Sequence, residues 1–141
     1  MPDTKKNTSN GEVIEYFHRY VVCQLILCSI PVIFDIEPIL PGEGETVAAA
    51  RLLQRMLEEQ PRMVDVFSFD AIYANAKVLN ILNKANKWWV VVLKQENREA
   101  YDDIDRLLPL TTPSRHTLRS ASVTLWGIPQ MTSWDTLNAP F

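Results

Sequence analysis

The sequence predicts one α/β domain built on a mixed sheet, in which an antiparallel hairpin is followed by βαβα units. Three observations support this fold class. Two β-branched, apolar runs stand side by side with a short break before a proline, which is typical of a hairpin. Downstream, apolar runs of strand length alternate with segments of helical periodicity. The chain has 141 residues, 47% of them hydrophobic, which is enough for one domain with its own core.

The first third of the chain is predicted to contain a lead, a hairpin and a break. Residues 1–12 are polar and are predicted to be disordered. The hairpin strands are predicted over Tyr20 to Cys28 and Val32 to Leu40. The segment "PGEGE" that follows is rich in proline and glycine, so it ends the strand pattern.

Helices and strands then alternate. The first helix is predicted over Glu45 to Gln60, with an apolar face through Val47, Ala50, Leu53 and Met56 or Leu57. The later elements are a buried strand at "MVDVFSF", a helix at "NAKVLNILNKAN", a buried strand at "KWWVVVLK" and a short helix at "REAYDDIDRLL". After Pro109, "HTLRSASVTLW" predicts a further strand or hairpin.

Composition and charge limit the classes of function. The net charge of −3 and the sequence pI of about 5.4 argue mildly against a nucleic-acid partner. Cys23 and Cys28 lie five apart in an apolar run and are interpreted as reduced packing residues of a cytosolic protein. No apolar run is long enough to span a membrane. We therefore expect a soluble cytoplasmic protein with no membrane partner.

Asp70 stands where one hydrophobic pattern stops and the next begins. It would lie at the carboxyl end of a buried strand, which is where ligands bind in open α/β sheets. Asp70 is therefore either the capping residue of the helix that follows or a metal ligand. Lys94 is predicted to lie on the same rim of the sheet, where it is the best candidate for a phosphate contact.

Four segments extend this interpretation, because their order and spacing resemble the middle of an insertion-sequence transposase of the DDE type. The segments are "EYFHRYVVCQLI", "EPILPGEGETVAAARLLQRML", "VDVFSFDAIYANAKVLNIL" and "WWVVVLKQENREAYDDIDRLL". The tail "LWGIPQMTSW" is similar to the segment that follows in this family. The resemblance implies an incomplete RNase H-like mixed sheet, with residues 13–108 as part of the catalytic domain and residues 109–141 as its truncated C-terminal extension.

What the resemblance implies for chemistry is a nuclease that cuts and joins DNA strands with two Mg²⁺ ions held by three acidic residues. Asp70 matches the second of these acids and is the implied catalytic and metal-binding residue. The first acid is not carried over to Asp3, because no strand pattern flanks it. Downstream of Trp126 the only acid is Asp135. The resemblance thus implies a truncated transposase that binds Mg²⁺ weakly and is inactive alone, whereas the full-length family acts on the DNA ends of its element.

A second interpretation is a non-enzymatic interaction or regulatory domain that kept the scaffold and lost the nuclease. Without the family's first strand, "MVDVFSF" is expected to have an unpaired flank. Either the hairpin or residues 12–17 would fill that gap, and self-association through the open edge is the other expectation.

Four further features have either a functional or a structural role. His18 and Arg19 match a recurrent pair of the family but are more often structural. Alternation puts Asp35 on the face of Ile33, so either this is an exposed polar face or the register is misjudged, and a metal role for Asp35 is a minor alternative. Trp88 and Trp89 are interpreted as packing residues. The acidic run from Asp102 to Asp105 is interpreted as a solvated helix face.

Overall fold

The protein forms a mixed α/β structure of two compact units. A computed structural model describes residues 3–8, 11–26, 30–94, 98–118, 121–128 and 137. The units are Met1–Asp65 and Val66–Phe141, called here the N-terminal and C-terminal units. Their boundary lies inside the segment 13–108 that the sequence predicts as part of one domain.

Within the described residues there are three α-helices and eight strands. The N-terminal unit contains β1 (Asp3–Thr8), β2 (Gly11–Tyr16), β3 (Tyr20–Leu25), β4 (Val32–Pro38) and α1 (Glu45–Glu59). The C-terminal unit contains β5 (Val66–Phe69), α2 (Ala76–Lys84), β6 (Trp88–Val91), α3 (Arg98–Leu107), β7 (Ser114–Leu118) and β8 (Ala121–Leu125). The three helices, the hairpin of β3 and β4, and the hairpin of β7 and β8 confirm the elements predicted from periodicity.

The start of the chain differs from the prediction of a disordered lead. β1 and β2 pair as an antiparallel hairpin from Asp3 beside Tyr16 to Thr8 beside Gly11. The sequence contains a signal for it, because the β-branched residues Thr4, Thr8, Val13 and Ile14 stand in these two segments. The polar composition of residues 1–12 hid this signal.

β3 and β4 pair antiparallel with one irregularity. Cys23 pairs with Asp35, whereas Gln24 pairs with Ile33, so β4 has one extra residue, Phe34. This β-bulge reverses the side on which the next side chains lie. Asp35 is therefore on the face opposite Ile33, and the expectation that they share a face is wrong.

The helix α1 begins after a tight turn and covers one face of this hairpin. Gly42 has a φ of 77°, and the Glu43 amide donates to the Leu40 carbonyl at 3.0 Å. With proline before it, Gly42 suits a type II turn. The buried residues of α1 are Ala48, Ala49, Leu52, Leu53 and Met56. The predicted apolar face is thus confirmed at Leu53 and Met56, whereas Val47 is exposed.

In the C-terminal unit, β5 and β6 are parallel and α2 connects them. The register runs from Val66 beside Trp88 to Phe69 beside Val91. The Asn75 side chain accepts a hydrogen bond from the Val78 amide at 3.1 Å and caps the start of α2. The apolar face of α2 buries Val78, Leu79 and Leu82, which gives this βαβ unit its core.

The end of α2 is also defined by backbone bonds. Asn86 has a φ of 53°, and its amide donates to the Asn83 carbonyl at 3.1 Å. The Lys87 amide donates to the Leu82 carbonyl at 3.0 Å. These bonds form a Schellman motif with asparagine at the left-handed position, and they turn the chain directly into β6.

The single mixed sheet that the sequence predicts is not formed by the described strands. They pair two by two, as β1 with β2, β3 with β4, β5 with β6, and β7 with β8. A larger sheet needs strands with partners on both edges. Of residues 12–17, one of the expected substitutes, residues 12–16 belong to β2 and pair with β1. β5 is therefore left with one open edge among the described residues.

Candidate functional site

Asp70 is the first residue after β5, and its side chain caps the turn that follows. The Oδ1 atom accepts a hydrogen bond from the Ala71 amide at 2.7 Å. The Asp70 carbonyl accepts from the Tyr73 amide at 3.1 Å, which begins the short 3-10 helix Ala71–Tyr73. The side chain is 68% exposed. Asp70 thus lies at an accessible strand end, in the geometry of a capping residue.

Lys94 lies beside Asp70. The Val92 amide donates to the Phe69 carbonyl at 3.3 Å, which continues the pairing of β5 and β6 toward this rim. Lys94 Nζ then lies 3.6 Å from Asp70 Oδ1. The Ala71 amide, and after it the Lys94 ammonium, lower the pKa of the Asp70 carboxyl below its ordinary value. The structure therefore brings the two predicted site residues together.

The donor set around Asp70 does not fit a pair of magnesium ions. Two-metal chemistry needs several carboxylates around the ions. In the part of the chain that the structure describes, no three side chains of His, Cys, Asp or Glu form a group that could hold a metal. Asp70 contacts the Ala71 amide and the Lys94 ammonium. Both groups are hydrogen-bond donors, and neither can act as a ligand to a cation. Asp135 lies outside the described residues.

A second cluster of charges, which sequence reasoning missed, lies between β4 and α1. The Glu37 carboxylate is buried. It accepts a hydrogen bond from Arg51 Nε at 2.5 Å and another from Arg55 Nη1. Arg51 also binds Glu43 with Nη1 at 2.5 Å and Nη2 at 3.0 Å. Arg55 binds Asp35 Oδ2 with Nε at 3.1 Å and Nη2 at 2.9 Å.

These five side chains, here called the arginine network, hold the helix on the hairpin. Arg51 and then Arg55 lower the pKa of Glu37. Arg51 and the Leu40 amide lower the pKa of Glu43 to about 2. The sequence did contain a signal, because acids two apart on a strand share a face and arginines four apart on a helix share a side. The network also gives Asp35 a structural role, as the ion-pair partner of Arg55.

The remaining candidates separate into exposed and packed side chains. Trp88 is 73% exposed, which differs from its interpretation as a packing residue. Trp89 is half-buried, and its Nε1 donates to Asn83 Oδ1 at 2.9 Å.

His18 is exposed, with its ring centroid 6.4 Å from that of Tyr20. Asp103 contacts Arg106 at 3.6 Å on α3, while Asp102 and Asp105 are exposed. Cys23 is a free thiol, and burial raises its pKa.

Comparison of the chain with protein-family models, curated proteins and solved structures finds no match. Among the described helices, none combines the length and the apolar character needed to cross a membrane.

Proposed function

We propose that the chain carries part of the RNase H-like catalytic domain of an insertion-sequence transposase of the DDE type, and that this part does not cut or join DNA alone. One observation carries most weight. Asp70, the residue that matches the family's second acid, directly follows β5 in a parallel βαβ unit. An accessible aspartate at the carboxyl end of a parallel strand is where open α/β sheets bind their ligands.

The proposed inactivity follows from the number of carboxylates. Strand transfer needs ions that both activate the attacking oxygen and stabilise the leaving one. Asp70 alone provides neither the affinity nor the geometry for that. A single Mg²⁺ at this carboxylate would bind weakly. Lys94, whose side chain is 52% exposed, would contact the phosphates of the family's DNA partner at the same rim.

Cleavage of supercoiled plasmid tests this function. We expect no nicking or joining by the purified chain in Mg²⁺ or Mn²⁺, and no difference between the chain and its Asp70→Ala variant. Asp102→Ala is the matched control, because it removes an exposed carboxylate on α3. Plasmid cleavage that is lost in Asp70→Ala and kept in Asp102→Ala would overturn the proposal, because the missing acids would then be supplied elsewhere.

A second candidate function is a non-enzymatic interaction domain, and an exposed apolar face of the C-terminal unit favours it. The large side chains on this face are Val66 at 56% exposed, Trp88 at 73%, Val90 at 61% and Val92 at 54%. Parallel sheets are normally covered on both faces, and α2 packs on β6 in this unit. Among the strands that the structure describes, β5 pairs with β6 alone, so its other edge adds backbone groups that can pair beside this face.

This candidate predicts self-association of the chain through that face and edge. In sedimentation equilibrium we expect concentration-dependent association that Val90→Lys weakens. Thr117→Lys adds the same charge to the exposed strand β7 and should leave association unchanged. A chain that stays monomeric at all concentrations, or two variants with equal effects, would contradict this candidate.

A further inference from the structure

We propose that Lys94 is the resident counter-ion of Asp70 and keeps divalent cations away from this carboxylate. The inference rests on the proposed function in that Asp70 is taken as the equivalent of the family's second acid. It concerns a different property, namely which positive charge Asp70 holds when no DNA is bound.

Both contacts of the Asp70 side chain are made by the same oxygen. Oδ1 accepts from the Ala71 amide at 2.7 Å and lies 3.6 Å from Lys94 Nζ. The hydrogen bond from the Ala71 amide fixes the orientation of the carboxylate, because Ala71 is also the first residue of the 3-10 turn. Lys94 therefore meets a carboxylate that the backbone already holds in place.

The position of Lys94 is itself fixed by the strand pairing. The register of β5 and β6 ends with Phe69 beside Val91, and the Val92 amide still donates to the Phe69 carbonyl at 3.3 Å. This bond keeps the backbone of both strands together up to the rim. Lys94 consequently remains near Asp70 even when its flexible side chain leaves the contact.

Charge then decides which cation the site accepts. Asp70 and Lys94 together carry no net charge, so a divalent ion gains no long-range attraction from the pair. It also meets a positive charge close by, and at about 6 Å in water this repulsion weakens binding roughly three- to tenfold. The argument does not need a strong ion pair, since exposed pairs contribute little to stability. It needs only a lysine that is tethered nearby.

Binding of Mn²⁺ alone tests this inference, with paramagnetic broadening of the Asp70 and Ala71 amide signals as the readout. Mn²⁺ binds the same oxygen ligands as Mg²⁺. We expect Lys94→Met to raise the affinity for Mn²⁺ at Asp70 by about three- to tenfold. Lys77→Met removes an exposed lysine from α2 and should change it less than about twofold. Adding Asp70→Asn to Lys94→Met should abolish the broadening.

An unchanged or lower affinity in Lys94→Met would overturn the counter-ion role. Lys94→Gln repeats the test with a polar side chain in case the methionine variant does not fold. The two proposals fail separately. A negative result here leaves the proposed inactivity standing, because that proposal depends on the number of acids. Asp70-dependent plasmid cleavage would overturn the proposed function whatever Lys94 does to Mn²⁺ binding.

Discussion

The arginine network of the N-terminal unit and the Asp70–Lys94 pair of the C-terminal unit use the same kinds of charge in opposite ways. The Glu37 side chain is 7% exposed and is bound by two arginines. The Asp70 side chain is 68% exposed and is bound by one lysine at 3.6 Å. Glu37 has exchanged water for fixed donors, whereas Asp70 has kept most of its water. Only the first cluster holds secondary structure elements together through its charges.

The chemistry of the two cations reinforces the difference. A guanidinium presents several donors in a fixed plane, so Arg51 binds both Glu37 and Glu43 at once. An ammonium on a flexible stem acts as a point charge. Lys94 can therefore leave Asp70 at little cost. If Arg51 and Arg55 left Glu37, a buried carboxylate would remain without a compensating charge. The comparison predicts large effects in the network and small effects at the strand end.

The largest expected effect is that of Glu37→Gln. The amide keeps the shape of the carboxylate but leaves Arg51 and Arg55 without their shared charge. Because the arginines remain partly exposed, we expect a loss of about 2 kcal/mol in the free energy of unfolding. Hydrogen exchange of the α1 amides at neutral pH measures it, because α1 is the element that the network holds.

Glu58→Gln is the matched control for this change. Glu58 is an exposed residue of the same helix, so its substitution should cost less than about 0.5 kcal/mol. Equal losses in the two variants would show that the network contributes nothing beyond the charge of α1. The contrast between the two units would then have no energetic basis.

The extent to which the sequence predicts this molecule follows from the range of each interaction. The bounds of α1 and α2 follow from local apolar periodicity, and Asn75 and Pro61 mark where helices start and stop. The position of Asp70 at a strand end is equally local, because the period changes at that residue. These features need no knowledge of what packs against them.

The β1–β2 hairpin was missed although its signal is local, whereas three other missed features depend on which segments of the chain pair or pack together. The bulge at Phe34 is a property of the pairing between β3 and β4, and alternation along one strand cannot reveal it. Arg55 reaches back twenty positions to Asp35, and this contact exists only because α1 packs on that face. The exposure of Trp88 likewise depends on which strands and helices cover β6. Tertiary packing determines all three.

The smaller expected effect is on the pH dependence, which compares the two clusters directly. The folded pKa of Glu43 is about 2, below its ordinary 4.5, because Arg51 and the Leu40 amide favour the charged form. Because the pKa of Glu43 is lower in the folded state, its carboxylate stabilises the fold at pH values above its pKa in the unfolded chain. That contribution is lost as the pH falls from about 4.5 through about 2. The pKa of Asp70 is lowered as well, first by the Ala71 amide and then by Lys94. Its contribution also disappears in acid.

Carboxyl NMR titration of the full chain distinguishes these two causes. Lys94→Met should move the pKa of Asp70 only slightly upward, because the Ala71 amide is the main cause of its lowering. Arg51→Met should move the pKa of Glu43 back toward its ordinary value, because that arginine is the main cause there. The retention of helical signal from α1 below pH 4 should fall in the Arg51 variant and not in the Lys94 variant. If Lys94→Met shifted Asp70 as far as Arg51→Met shifts Glu43, the exposed pair would be as strongly coupled as the network, and the assignment of structure to one cluster and accessibility to the other would be wrong.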